Sequence, residues 1–215
     1  MLFYNQSEIQ SWERFYRANF INSLTGFKSV SLLGSVNKNG RSNLGVFSSI
    51  VHIGSDPPLI GYINRPRKAA PHTMANIELT GVYTINHIHP SFLEKAHQTS
   101  AKYPEGVSEF EEVGLTEQFV GNFPAPVVKE SLVRYAVTLK EMLPIHSNDT
   151  YLVVGKIHSI QMEDDLLSPD GFIDLHKAGT VCSNGIDGYY TTKPLVRFSY
   201  AKPGHKPIKI LFNEG

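Results

Sequence analysis

The chain has 215 residues, of which 41% are hydrophobic and 19% charged, a composition typical of a globular protein with one sizeable core. Twenty basic residues balance twenty acidic ones, so the net charge argues against nucleic acid or an anionic membrane surface as a partner. The single cysteine, Cys182, excludes an internal disulfide, and neither a signal-peptide pattern nor a membrane-length apolar run occurs, so a cytoplasmic location is expected.

The first predicted element is a helix from Ser7 to about Asn22. Ser7 and Gln10 have the spacing of a capping box, and aromatic residues including Trp12 and Phe20 recur at helical spacing. Such a stripe predicts a packing face rather than a cofactor site.

Strands are predicted on both sides of a turn at Asn37 to Gly40. They span residues 30–36, 43–53 and 59–64. The second of these begins within S-N-L-G-V-F-S-S, residues 42–49, where small polar residues replace the usual alternation of apolar and polar side chains. Such a concentration of small polar residues is unusual for a strand.

The rest of the chain is predicted to be mostly strand, with short helices and a polar insertion. Helices are predicted at 72–78 and 91–100, the latter capped by Ser91, and strands at 81–87, 127–143 and 151–162. The insertion, residues 102–123, carries Glu109, Glu111 and Glu112, which are interpreted as a solvated face without chemistry.

Strands outnumber helices, and no G-x-G-x-x-G turn occurs, so a Rossmann sheet is disfavoured. The predicted fold is mainly β, an antiparallel barrel or sandwich with a few peripheral helices. A single domain is expected, with a helical appendage at 1–26, a core at 27–162 and a C-terminal extension at 163–215.

Four short motifs follow one another in the first half of the chain. They are S-N-L-G-V-F-S-S, D-P-P-L at 56–59, N-R-P-R-K at 64–68 and H-T-M-A-N-I at 72–77. In this order the chain resembles the flavin reductase-like family of FMN-binding split β-barrels, which includes NAD(P)H:flavin oxidoreductases and reductase components of two-component monooxygenases. V-Y-T-I-N at 82–86 and L-V-V-G-K-I at 152–157 extend the resemblance to roughly residues 27 to 160. It implies an antiparallel, Greek-key split barrel.

The resemblance also implies a flavin site. A flavin has a flat ring with hydrogen-bonding edges and a phosphate tail, so its site needs small side chains, close backbone approach and phosphate donors. Arg65 and Lys68 suit the phosphate, and Thr73 lies at a predicted helix start. The expected cofactor is FMN, or else FAD, with NAD(P)H as co-substrate. The predicted cofactor-binding residues are Asn43, Leu44, Gly45, Val46, Phe47, Ser48, Ser49, Asn64, Arg65, Lys68, His72, Thr73 and Asn76. No catalytic residue is assigned.

Two segments depart from the family's pattern. Pro71-His72-Thr73 stands where many members have Lys-Asp-Thr, and Asn148-Asp149-Thr150 where many reductases carry Asp-His beside the nicotinamide. Three functions stay open: an FMN-dependent NAD(P)H oxidoreductase, an FMN-binding electron carrier or redox sensor, and a binding module that has lost its flavin. The resemblance further implies a homodimer and an electron acceptor such as a monooxygenase.

Two further sequence features are candidate functional sites with weaker support. His87 and His89 are two residues apart and could chelate a metal together, but no cysteine or carboxylate stands at ligand spacing, so no metal is predicted. Cys182 could be a nucleophile, yet no base can be assigned to it, and an unreactive thiol is favoured.

Overall fold

The computed structural model describes residues 1–69 and 71–212, and its N-terminal segment forms two helices. These are α1, Gln6–Ser11, and α2, Arg14–Leu24. Asn5, not the predicted Ser7, caps α1: its side chain accepts the amide N–H of Glu8 at 3.0 Å, and the Glu8 carboxylate accepts the amide N–H of Asn5 at 2.8 Å. The predicted single helix is therefore two short ones.

The aromatic stripe of this segment packs mainly on itself. The Trp12 ring lies with its centroid 5.0 Å from that of Tyr4, 5.2 Å from that of Tyr16 and 4.8 Å from that of Phe20. Phe15 and Tyr16 remain 69% and 54% exposed. The predicted packing face is thus a local aromatic cluster at the surface, which adds little to the central core.

Strands make up most of the remaining secondary structure. They are β1 Lys28–Ser29, β2 Ser31–Val36, β3 Ser42–Phe47, β4 Ile50–Ser55, β5 Pro58–Asn64, β6 Val82–His87, β7 Glu117–Gln118, β8 Val127–Val128, β9 Val133–Ile145, β10 Thr150–Met162, β11 Val181–Asn184, β12 Gly188–Thr191, β13 Arg197–Phe198 and β14 Lys209–Ile210. Seven of them form one antiparallel sheet in the order β3-β2-β6-β9-β10-β5-β4.

This sheet curls into a barrel that is left open along one line. Strands β3 and β4 stand at opposite ends of the sheet order, yet only Ser48 and Ser49 separate them in the chain. The two edges therefore meet at these serines, where the β3–β4 gap begins, and beside it the Ser29 hydroxyl of β1 donates to the Ile50 carbonyl of β4 at 3.0 Å. The predicted strand 43–53 is accordingly two strands, broken at the paired serines.

Both faces of β2 are covered, because every residue from Ser31 to Val36 is buried. Side chains alternate across a strand, so neighbours such as Leu32 and Leu33 enter different clusters. Leu33 packs inside the barrel with Tyr62 and Tyr83. Leu32 packs outside it with Phe92, Phe110 and other residues. The outer cluster explains why short helices cover this side of the barrel.

Three further helices lie around the barrel. They are α3 Pro71–Thr80, α4 Leu93–Gln98 and α5 Glu109–Val113. A 3₁₀ turn, Pro90–Phe92, precedes α4, and His89 rather than the predicted Ser91 caps it: the imidazole Nδ1 accepts the Ser91 amide N–H at 3.2 Å. None of the described helices is long and apolar enough to cross a lipid bilayer.

Candidate functional site

The edge of β3 presents an open backbone donor. In an antiparallel pair, the amide and carbonyl groups of alternate residues point away from the partner strand. The Leu44 amide points away from β2, since it donates to the Glu109 carboxylate at 2.9 Å. The Val46 amide points the same way by alternation, and it makes no hydrogen bond outside the strand ladders with a described residue. A ligand beside Val46 can therefore accept this hydrogen bond.

A cavity of about 460 Å³ lies against this edge and is called the β3 cavity below. One wall is formed by β3, the serine corner, the loop after β5 and the start of α3. The predicted cofactor residues that line it are Asn43, Leu44, Gly45, Val46, Phe47, Ser48, Ser49, Arg65, Lys68, His72 and Thr73. The fold thus brings together residues separated by up to thirty positions in the chain.

Close packing between β3 and α3 requires a glycine. The Asn43 amide group donates to the Thr73 hydroxyl at 3.1 Å, which ties the strand to the first turn of α3. A Cβ atom at Gly45 would lie 3.2 Å from a ring carbon of Phe47 and 3.4 Å from the Thr73 hydroxyl. Gly45 therefore allows the strand, the helix and the Phe47 ring to meet at the cavity wall.

The cationic side chains of the basic loop, residues 64–68, differ in what they contact. Arg67 forms a two-point ion pair with Glu78, and its guanidinium lies 5.2 Å from the centroid of the Tyr151 ring. Arg65 and Lys68 line the cavity, are exposed, and form no ion pair within the described part of the chain. Only the latter two are free to meet an anionic ligand.

Two predicted cofactor residues, Asn64 and Asn76, do not line the cavity. The Asn64 amide group donates to the Arg65 carbonyl at 2.7 Å and to the Met74 sulfur at 3.3 Å, so it joins the end of β5 to α3. Asn76 donates to the Ser35 hydroxyl at 3.1 Å. Both side chains are buried and support the wall from behind.

Part of the cavity lining consists of residues that the sequence did not suggest. It includes the segment from Thr99 to Tyr103, together with Ser183 and Tyr189 from the β11–β12 hairpin. The His97 imidazole lies 2.8 Å from the Tyr189 hydroxyl. The Ser183 hydroxyl is buried and has no partner among the described residues. A buried hydroxyl without a partner is a candidate contact for a bound molecule.

Glu109 corrects the interpretation of the acidic run as a solvated face. Its side chain is buried and lines the β3 cavity, whereas Glu111 and Glu112 are exposed as expected. Burial raises the pKa of Glu109, while the hydrogen bond from the Leu44 amide and the charge of His72 act in the opposite direction. No local sequence pattern identified this burial, which follows from the packing of α5 against β3.

The segment that departs from the family's Asp-His pattern forms the turn between β9 and β10. The Asn148 side-chain carbonyl accepts from the Thr150 amide at 3.2 Å and from its hydroxyl at 2.7 Å, and Asp149 has a left-handed backbone with φ of 58°. These side chains are thus used by the turn itself. Asn148, Asp149 and Thr150 do not line the β3 cavity.

The two candidate metal ligands and the cysteine make ordinary contacts. The His87 ring lies 3.3 Å from the Thr180 hydroxyl, while His89 contacts Ser91 at the 3₁₀ turn. The described residues contain no cluster of three or more side chains that could hold a metal ion. Cys182 is half-buried, and burial raises the pKa of its thiol, which lowers its reactivity.

Comparison with known proteins places this geometry in context. The sequence pattern of the family named Flavin reductase like domain matches residues 27–183. A candidate flavin reductase with a split barrel domain from Shewanella frigidimarina NCIMB 400 superimposes with a TM-score of 0.90 at 45% identity, covering 94% of this chain and 100% of its own.

Two more distant structures have the same fold. Nitrilotriacetate monooxygenase component B from Bacillus cereus has a TM-score of 0.80 at 20% identity and covers 91% of this chain and 97% of its own. Flavoredoxin of Desulfovibrio vulgaris (Miyazaki F) has a TM-score of 0.69 at 21% identity and covers 83% and 92%. At these identities the similarity shows the fold alone.

The matched segment runs from β1 into β11 and includes most of the residues that line the β3 cavity, though not Tyr189. Membership of the family implies that a flavin is bound or used as a substrate. On the extent of the match and the split-barrel structure, the chain belongs to the Flavin reductase like domain family.

Proposed function

We propose that the chain binds FMN in the β3 cavity and catalyses hydride transfer from NADH or NADPH to the flavin. The reduced flavin then passes its electrons to a further acceptor. The observation that carries the proposal is the composition of one cavity wall. An open strand edge, small polar side chains and two cations that form no ion pair with a described residue meet there.

The residues present suit FMN in size and chemistry. A volume of about 460 Å³ falls within the range of small-molecule sites. The Val46 amide and the hydroxyl groups of Ser48, Ser49 and Ser183 are donors of the kind that the ring edges and the ribityl chain need. Arg65 and Lys68 supply charge-assisted hydrogen bonds for a phosphate. FAD is the alternative cofactor.

The protein's contribution to the reaction is binding and orientation. The redox chemistry, hydride acceptance from a nicotinamide, is what a flavin supplies when bound. The described residues around the cavity need only hold the ring against β3, anchor the phosphate near the basic loop and leave one ring face accessible.

A second function is favoured by the β9–β10 turn. Because Asn148 is used by the turn and lies away from the cavity wall, the chain lacks at this position the residues that many reductases place beside the nicotinamide. An FMN-binding electron carrier or redox sensor, without nicotinamide turnover, is therefore the alternative.

An anaerobic titration separates these functions. The purified chain is loaded with FMN, freed of excess, and titrated with NADH and, separately, with NADPH while absorbance is recorded. Bleaching of the flavin bands supports the oxidoreductase. Stable flavin bands that dithionite bleaches favour the electron carrier, and failure to retain or quench any FMN refutes both.

We also propose that the protein acts as a homodimer. Strand β4 is an edge strand that exposes large apolar side chains, Val51 at 44% and Ile53 at 43%. The electron acceptor would be a separate component, such as a monooxygenase, and the cytoplasm is the proposed location.

A further inference from the structure

Glu109 is the one feature of the β3 cavity that does not match a simple anion-binding site. The residue is 6% exposed, and its carboxylate accepts a hydrogen bond from the Leu44 amide at 2.9 Å. Glu111, two residues along α5, instead pairs with Arg41 at the surface. A buried carboxylate on a cavity wall is costly unless it has partners, and of the described residues only the Leu44 amide donates a regular hydrogen bond to it.

The charges of the cavity are arranged along β3. The Ile63 amide donates to the Ser49 carbonyl at 3.2 Å, so the basic loop starts beside the serine corner. The Glu109 carboxylate accepts a hydrogen bond from the amide of Leu44, which precedes Ser48 by four residues. Four residues of extended strand place Leu44 about 13 Å from Ser48. The wall therefore begins with a carboxylate at one end and leads to Arg65 at the other.

This arrangement matches a ligand with an anion at one end and an N–H donor at the other. A carboxylate repels a phosphate and accepts a hydrogen bond from an imide. Beside Leu44, the open Val46 amide offers a donor, so the pair presents one acceptor and one donor to a ring edge. A flavin ring carries such an imide.

We propose that Glu109 is a positioning residue for bound flavin, which orients the ring toward Leu44 and lowers its reduction potential. This inference rests on the proposed function. Reduction adds negative charge to a flavin ring at neutral pH, and a fixed carboxylate beside the ring disfavours that charge. The reduced form is then bound less tightly than the oxidised form.

The test measures FMN binding in both redox states at about pH 8, because a high pH favours the ionised form of a carboxyl group whose pKa burial raises. The variant Glu109→Gln keeps an oxygen that can accept from Leu44 but removes the charge. We expect it to raise the affinity for reduced FMN, relative to oxidised FMN, at least tenfold, which is an upward shift of about 30 mV in the midpoint potential. Glu112→Gln, an exposed change on the same helix, should leave the ratio unchanged.

Each outcome bears on the inference. An unchanged ratio in Glu109→Gln would overturn it while leaving FMN binding intact. A gain in affinity for oxidised FMN over riboflavin in Glu109→Gln would also overturn it, because the carboxylate would then face the phosphate. Absence of FMN binding by the unmodified chain refutes the proposed function and this inference together. If Glu109→Gln does not fold, Glu109→Ser, which leaves space for water beside Leu44, carries the same expectation.

Discussion

Arg65, Arg67 and Lys68 are close in the chain but differ in what they contact. Arg67 is occupied by Glu78 and Tyr151, whereas Arg65 and Lys68 line the β3 cavity. We expect Arg65→Ala and Lys68→Ala each to weaken FMN binding by about 1.5 to 3 kcal/mol, the value of a hydrogen bond to a charged group. Flavin fluorescence titration gives the dissociation constants.

Two controls sharpen this comparison. Riboflavin lacks the phosphate, so neither variant should lose affinity for it. Arg67→Ala removes a cation of the same loop and should leave FMN affinity unchanged. Equal losses in all three variants would mean that the loop acts through general charge rather than through specific contacts.

His87 makes the stability of the protein depend on pH. Burial lowers the pKa of His87 to about 4 from its ordinary 6.5, so the folded state binds this proton less readily than the unfolded state. The stabilising contribution is complete above pH 6.5 and is lost as the pH falls toward 4. The full loss is about 3 kcal/mol, from about 1.4 kcal/mol per pKa unit.

Urea denaturation at several pH values between 7 and 4 measures this effect. In His87→Gln the free energy of unfolding should fall less over that range than in the unmodified protein. His205→Gln, which changes an exposed imidazole, should keep the original slope. Parallel curves for all three proteins would show that His87 is protonated in the folded state at ordinary pKa.

At this scale the sequence predicted residue types better than positions. The small residues of β3 and the two cavity cations were predicted from the order of motifs, and the structure places them on one wall. The sequence did not distinguish Asn43, whose side chain reaches that wall, from Asn64 and Asn76, whose side chains are buried behind it. Glu109 was missed because its position depends on the packing of α5 against β3, which no local pattern fixes.

At the scale of elements, β10 contains an irregularity that packing requires. The pairing of β9 and β10 shifts between Val154 and Gly155, and a Cβ atom at Gly155 would collide with Val137 and lie 2.5 Å from the Tyr83 hydroxyl. Gly155→Ala should therefore lower the free energy of unfolding by about 1 to 3 kcal/mol. Urea denaturation measures the change.

Gly54→Ala is the matched control for this prediction. A Cβ atom at Gly54, also in a β-strand, would have only an ordinary contact, 3.5 Å from the Pro57 carbonyl. Its unfolding free energy should stay within about 0.5 kcal/mol of the original, as surface changes usually do. If both variants lose stability equally, the loss reflects strand backbone freedom and not the crowded site.

Element types were predicted more reliably than element ends. Hydrophobic pattern identified the main strands, but the strand 43–53 breaks at Ser48 because the chain passes there from one edge of the sheet to the other. The caps were misplaced for a related reason. Asn5 and His89 act as the N-caps because of the backbone geometry at their own positions. Several polar residues near each helix start fitted the capping pattern equally well.

At the scale of the whole molecule, the exposed edge of β4 is the feature that bears on assembly. We expect the protein to be a dimer by light scattering. The double variant Val51→Lys, Ile53→Lys should be monomeric. Two positive charges on this edge strand disfavour both strand pairing between subunits and packing of its exposed apolar side chains. A matched change at Leu195 and Tyr200, exposed in the C-terminal tail, should leave the dimer intact. A monomeric parent protein would refute the proposed dimer.

The β3–β4 gap also has a consequence for the local dynamics of the barrel. The cavity is lined by β3 and by the loop after β5, the strand that pairs with β4, while β4 itself does not line it. A molecule held there would contact the open backbone edge of β3 and the loop after β5, and would thereby fill part of the gap that the backbone leaves open. Amide hydrogens of β3 should therefore exchange with deuterium more slowly when FMN is bound, while those of the central pair β9 and β10 keep their rate.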